Sequence, residues 1–120
     1  MHVVAPQEQL PNAEFAVVPA AKVRDYLLNP SHPQGGPKAR VFAAVLGLTR
    51  DDWRYLRDQL RAGAMHAPAL HRETTTWGEL FEVRMEVQGH EGRAAVVRTG
   101  WIIRSDDHRP HLTTAYVDLP

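Results

Sequence analysis

Histidine, glycine and lysine crowd the short stretch "HPQGGPK", residues 32–38, and a second polar set, Arg98, Thr114 and Tyr116, stands near the end of the chain. In the first, Gly35-Gly36-Pro37-Lys38 immediately precedes a helical pattern. The unpaired N–H groups of a first helical turn, the helix dipole and the Lys38 ammonium can converge there on one phosphate. His32 lies close enough in sequence to act beside it as acid or base. Lys22, one helical turn before Tyr26, brings a second ammonium to the same predicted surface. In the second set, Arg98 can neutralise charge developing on phosphorus while Thr114 or Tyr116 donates a hydrogen bond to it. Both sets also have plain explanations, since Pro and Gly reverse chains and Thr and Tyr are good strand formers. Spacing alone favours the plain ones.

Several chemistries are absent from the pattern. There is no GxxxxGK[ST] loop for a nucleoside triphosphate. The seven histidines show no HxH or HxxxH pair, so no metal and no cofactor is expected. Zero cysteines remove disulfides and thiolate catalysis. Fourteen basic and fourteen acidic residues cancel, which counts against a nonspecific nucleic-acid binder. The charge is unevenly spread, however: residues 19–66 carry eight Lys or Arg against four Asp, a basic first half able to meet phosphates. No run of eighteen apolar residues occurs, and "MHVVAPQEQLPNAEF" lacks a signal-peptide pattern. The expectation is a cytoplasmic protein with no membrane contact.

The elements that must position these residues follow from periodicity. Residues 1–18 are predicted to be an extended lead-in, and residues 19–120 a single domain. Val23, Tyr26 and Leu27 mark one helix after Pro19, stopped at Asn29-Pro30. A second begins near Pro37 and stops at Gly47. A third opens at "TRDDW" with Thr49 as N-cap, buries Trp53, Leu56 and Leu60, and is predicted to stop at Gly63. After Pro68 the period becomes two: "LFEVRMEVQ" alternates, "RAAVVRTGWIIR" returns, "HLTTAYVDL" closes, and "ALHRETTT" is a candidate strand before them. "SDDHRP" is predicted as a turn, and Trp53, Trp77 and Trp101 as core or core-edge residues. The fold class is α+β, with about three N-terminal helices packed on one face of a three- to four-stranded antiparallel sheet.

The blocks "LPNAEFAVVPAAKVRDYLLNPSHPQGGPKARVFAAVLGLT" and "GRAAVVRTGWIIR…HLTTAYVDLP" resemble a family of small bacterial domains of unknown function, found alone or at the C-termini of toxin-like proteins. The resemblance extends to the Barnase–EndoU–colicin–RelE superfamily of ribonuclease toxins, whose members place helices before a four-stranded antiparallel sheet. It covers the chain from Leu10 onward and includes Lys22, His32, Gly35, Gly36, Lys38, Trp101, Thr114 and Tyr116; Gly100 departs from the small residue such as Ala expected there. It implies a metal-independent endoribonuclease toxin: His32 moving protons, Lys38 and Arg98 stabilising charge, Thr114 or Tyr116 positioning the phosphate, and Lys22, Gly35 and Gly36 helping to bind it. A small cognate antitoxin protein would be its partner and RNA its substrate. A non-catalytic interaction module and a phosphate-ligand-binding domain remain open alternatives, and the oligomeric state is unknown.

Overall fold

The computed structural model describes residues 8–119; residues 1–7, the start of the expected lead-in, and Pro120 lie outside them. Three helices precede four antiparallel strands, an α+β architecture with the helices on one face of the sheet.

Helix α1 opens at Ala20–Lys22 behind Pro19 and continues as a π-helical stretch, Val23–Leu27, in which the Leu28 N–H reaches back to the Val23 carbonyl at 3.0 Å. Val23 and Leu27 are fully buried, while Lys22 and Tyr26 stay partly exposed one turn apart. Helix α2, Gly36–Val41, also widens into a π-helical end, Phe42–Leu46. Gly47 stops it at a φ of 70°, and the Leu48 N–H closes on the Phe42 carbonyl at 3.2 Å.

Helix α3, Trp53–His66, is led in by a 3-10 turn at Arg50–Asp52, where the Asp52 carboxylate accepts the Thr49 N–H at 2.8 Å. Its buried stripe is Leu56, Leu60 and Ala64. Gly63 does not end it. The helix runs three residues further, until Pro68 approaches. A Cβ on Gly63 would stand 2.3 Å from Met85 Sδ, so this glycine lets α3 lie close against the sheet.

Strands β1 (Ala69–Thr75), β2 (Gly78–Gln88), β3 (Ala94–Arg104) and β4 (Asp107–Val117) form a meander in sequence order. β4 already begins at Asp107, so the predicted "SDDHRP" turn shrinks to Ser105-Asp106. The inner face carries Val83, Met85 and Val87 of β2, Val97, Thr99 and Trp101 of β3, and Ala115 and Val117 of β4. Trp101 is fully buried and Trp53 half-buried, but Trp77 is 76% exposed. It sits in the tight turn between β1 and β2, where its backbone N–H binds Thr75 Oγ1 at 3.1 Å; the backbone, and not indole packing, fixes that position.

Residues 8–18 are part of the packed structure. A 3-10 turn at Ala13–Phe15 interrupts them, and Leu10, Ala16 and Val18 are buried. The Val17 N–H binds the Pro110 carbonyl at 2.8 Å, and the Leu112 N–H binds the Val17 carbonyl at 3.1 Å. This short pairing covers the outer edge of β4 at its start. Further along, Pro37, Lys38 and Val41 of α2 stand beside Tyr116 and Val117. No helix among the described residues is long and apolar enough to cross a membrane.

Candidate functional site

The helices and the last strand meet at Tyr26. The Lys38 ammonium donates a hydrogen bond to Tyr26 Oη at 3.2 Å, and the Lys22 ammonium lies 5.1 Å from the centre of the same ring. The His32 ring packs edge-on against it, with centroids 4.8 Å apart. Three residues of the predicted set are thus gathered by a fourth to which the sequence pattern gave no role. The signal was present as the one-turn spacing from Lys22, but the α2 contact that gives Tyr26 its chemistry is tertiary.

The Tyr26 phenol is held below its usual pKa, first by the Lys38 hydrogen bond. Partial burial opposes this; the Lys38 charge, the Thr114 hydroxyl and the Lys22 charge add to it. Thr114 Oγ1 is itself buried and makes no hydrogen bond of good geometry, so it faces Tyr26 with capacity unused.

His32 is more constrained than its spacing suggests. Its Nδ1 accepts the backbone N–H groups of Gln34 at 3.1 Å and Gly35 at 2.9 Å. The ring proton therefore belongs on Nε2, and only that nitrogen is left to face a ligand. The same bonds occupy the loop amides expected to cradle an anion. The Gly35 N–H is on His32 Nδ1, and the Gly36 N–H binds the His32 carbonyl at 2.8 Å. Both glycines are buried for a different reason: a Cβ at Gly35 would lie 2.1 Å from the Tyr26 carbonyl oxygen, and one at Gly36 2.7 Å from that of Pro30. The "HPQGGPK" segment is a tight chain reversal, and it brings the Lys38 ammonium to the Tyr26 hydroxyl.

From the sheet come Arg98, Thr114 and Tyr116, all on the face turned away from the helical core. Arg98 stands opposite Tyr116 in the β3–β4 register, its guanidinium 5.9 Å from the Tyr116 ring centre. Thr114 stands opposite Gly100. A Cβ there would meet Thr113 Oγ1 at 2.9 Å and Thr114 Cγ2 at 3.4 Å, so the glycine makes room for the two threonines at the β-bulge. Arg98, Thr114 and Tyr116 line a hollow of about 200 Å³ with Arg72 and Glu82. On its other side Tyr116 borders a second hollow with Lys38. Burial alone would lower the Arg98 pKa; Tyr116, Glu82 and Asp118 outweigh it and raise the value, so Arg98 stays charged. Glu82 and Asp118 are further members that the sequence pattern did not single out. Among the described residues no group of three or more His, Asp or Glu side chains is placed to hold a metal ion.

A domain of unknown function, DUF6883, matches residues 9–119. The chain belongs to the DUF6883 family. No curated protein matches this DUF6883 chain in sequence. Its fold is similar to that of a chain in the solved contact-dependent growth inhibition toxin–immunity protein complex from Klebsiella pneumoniae 342. The TM-score is 0.69 over 91% of this chain and 98% of that one, at 15% identity. At that identity the likeness is one of fold.

Proposed function

We propose that this DUF6883 chain is a toxin-like, metal-independent endoribonuclease, held in check by a small partner protein. The observation that carries the reading is the convergence of two ammonium groups and the Thr114 hydroxyl on one depressed-pKa phenol, Tyr26, beside Tyr116 and Arg98. The fold likeness to a chain of a toxin–immunity complex supports the toxin class and the protein partner.

RNA supplies its own nucleophile, so the protein needs only proton transfer and positive charge at phosphorus. In the proposed step the 2′-oxygen attacks the adjacent phosphorus and loses its proton to the ionised fraction of Tyr26, which the Lys38 hydrogen bond enlarges. The P–O5′ bond breaks as the departing oxygen takes a proton from the Lys38 ammonium. A 2′,3′-cyclic phosphate and a free 5′-hydroxyl result. Because Lys38 and Tyr26 share a hydrogen bond, return of the proton from phenol to amine restores the starting state. Thr114, Tyr116 and the His32 Nε2–H hold the non-bridging oxygens, and Lys22 and Arg98 offset the charge that builds on them. His32 therefore acts as a donor here, and Tyr26 takes the proton-accepting part of the role that the resemblance implied for the histidine.

The test is purified protein with total RNA in excess chelator, wild type beside Lys38→Ala, with fragment ends analysed. Cyclic phosphate ends from wild type alone support the reading. Intact RNA after incubation with folded wild type removes it and leaves a non-catalytic binding module.

A further inference from the structure

We propose that Arg84 and Arg98 form an anion site on the solvent face of the sheet, which the protein fills with its own Glu82 and Asp118 until a nucleic-acid phosphodiester displaces them. Only the identity of that phosphodiester rests on the ribonuclease reading.

Arg84 and Arg98 are direct partners in the β2–β3 register, so two cations stand opposite each other on one face. Such a pair is unfavourable unless something neutralises it. Glu82 and Asp118 do so in a closed cycle. Arg98 Nε lies 3.5 Å from Glu82 Oε1 and Arg98 Nη2 3.6 Å from Asp118 Oδ2; Arg84 Nε lies 3.9 Å from Glu82 Oε2 and 3.6 Å from Asp118 Oδ2.

All four separations exceed the roughly 2.7–2.9 Å of a charge-assisted hydrogen bond. Two exposed pairs, Arg57–Asp58 at 3.5 Å and Arg93–Glu91 at 3.8 Å, are as loose, but others are not. Elsewhere in the same protein Arg50 meets Asp25 at 2.7 Å and Arg109 meets Asp107 at 2.9 Å. Arg98 Nε is buried with no hydrogen bond at all. The carboxylates thus neutralise the arginines without satisfying their donors. A phosphate oxygen entering between the guanidiniums would accept short, forked bonds that neither carboxylate now makes.

The location fits a chain of phosphates. Arg98 and Glu82 share the 200 Å³ hollow with Thr114 and Tyr116, so the cycle borders the Tyr26 cluster, where the neighbouring phosphodiester of a strand would lie. The arrangement also accounts for a neutral protein that handles a polyanion. Arg84 and Arg98 are masked, and their pull on nonspecific polyanions is correspondingly weak.

A labelled oligothymidylate, which lacks the 2′-hydroxyl and cannot be cleaved by the proposed chemistry, is the probe. Its binding would be measured over a range of salt concentrations for wild type, Glu82→Gln, Asp118→Asn and Arg84→Gln, with melting curves for each. Glu82→Gln and Asp118→Asn are expected to bind about three- to tenfold more tightly at low salt. Arg84→Gln, at a largely exposed position, should bind more weakly, with a log–log salt slope shallower by about 0.7. Equal or weaker binding by folded Glu82→Gln and Asp118→Asn, an unchanged Arg84→Gln, or no binding by any protein would each overturn the proposal. The expected binding pattern together with uncut RNA would remove the ribonuclease reading alone.

Discussion

Lys38 Nζ donates to Tyr26 Oη at 3.2 Å, and this contact joins two helices across the tight "HPQGGPK" reversal. If the phenol exchanges protons, Tyr26→Phe keeps the ring against His32 and removes only the oxygen. RNA cleavage should fall by about 10²- to 10⁴-fold, the range of a positioned acid–base group. The melting temperature should stay near that of wild type. Cleavage by Tyr26→Phe within a few-fold of wild type would take Tyr26 out of the mechanism.

The same contact sets a titration. A tyrosine whose pKa is lowered in the fold ionises before it would in the unfolded chain, near 10. Its contribution to stability is therefore absent at neutral pH, grows as pH rises through the lowered value, and is complete above the unfolded one. Of the three tyrosines, one should give its tyrosinate absorbance ahead of the others. Lys38→Met should move that early step upward. A wild-type titration with all three ionising together would contradict the assignment.

Beneath the sheet, Thr99 Oγ1 donates to the Val83 carbonyl at 2.7 Å and accepts the Trp101 Nε1–H at 2.7 Å. Both residues are fully buried. Thr99→Val keeps the shape and strands the indole N–H, at a cost of about 1–3 kcal/mol. Denaturant unfolding measures this directly, and a loss well under that range would mean that the indole finds another acceptor.

Gly63 reverses a familiar rule. Replacing a helix-interior glycine with alanine ordinarily stabilises by about 1 kcal/mol. Here the added methyl meets Met85 at Sδ, Cε and Cβ, the last at 3.0 Å. Overpacking of about 1–3 kcal/mol should prevail, and Gly63→Ala should melt below wild type. A higher melting temperature would show that Met85 can move aside at little cost.

The residues explain which parts of this molecule were legible in advance. "LFEVRMEVQ" declared its inner face because alternation is a local property, and Val83, Met85 and Val87 are buried as it requires. Gly47 and the Thr49–Asp52 cap act on neighbours within six residues, so their roles could be read directly. Gly63 misled because its reason is Met85, a residue on another element. The paired glycines at 35 and 36 also have tertiary reasons: they yield space to the Tyr26 and Pro30 carbonyls, and their amides are engaged within the chain reversal that spacing alone favoured. Lys22, Lys38 and Thr114 could be named individually. Their common centre, Tyr26, could not, because it is defined by a turn of α1, the first turn of α2 and the outer edge of β4 together.

That division of the site between the two ends of the chain governs when it can exist. Lys22, Tyr26, His32 and Lys38 are made early, while Arg98, Thr114 and Tyr116 arrive with the last two strands. A nascent chain therefore lacks the assembled cluster until β4 has emerged and paired. Under the ribonuclease reading, the host's own RNA would be spared until that pairing is complete. The exposed turn around Glu91 and Gly92 separates the two groups, so a chain divided there gives two pieces, each holding only half of the cluster until they pair again.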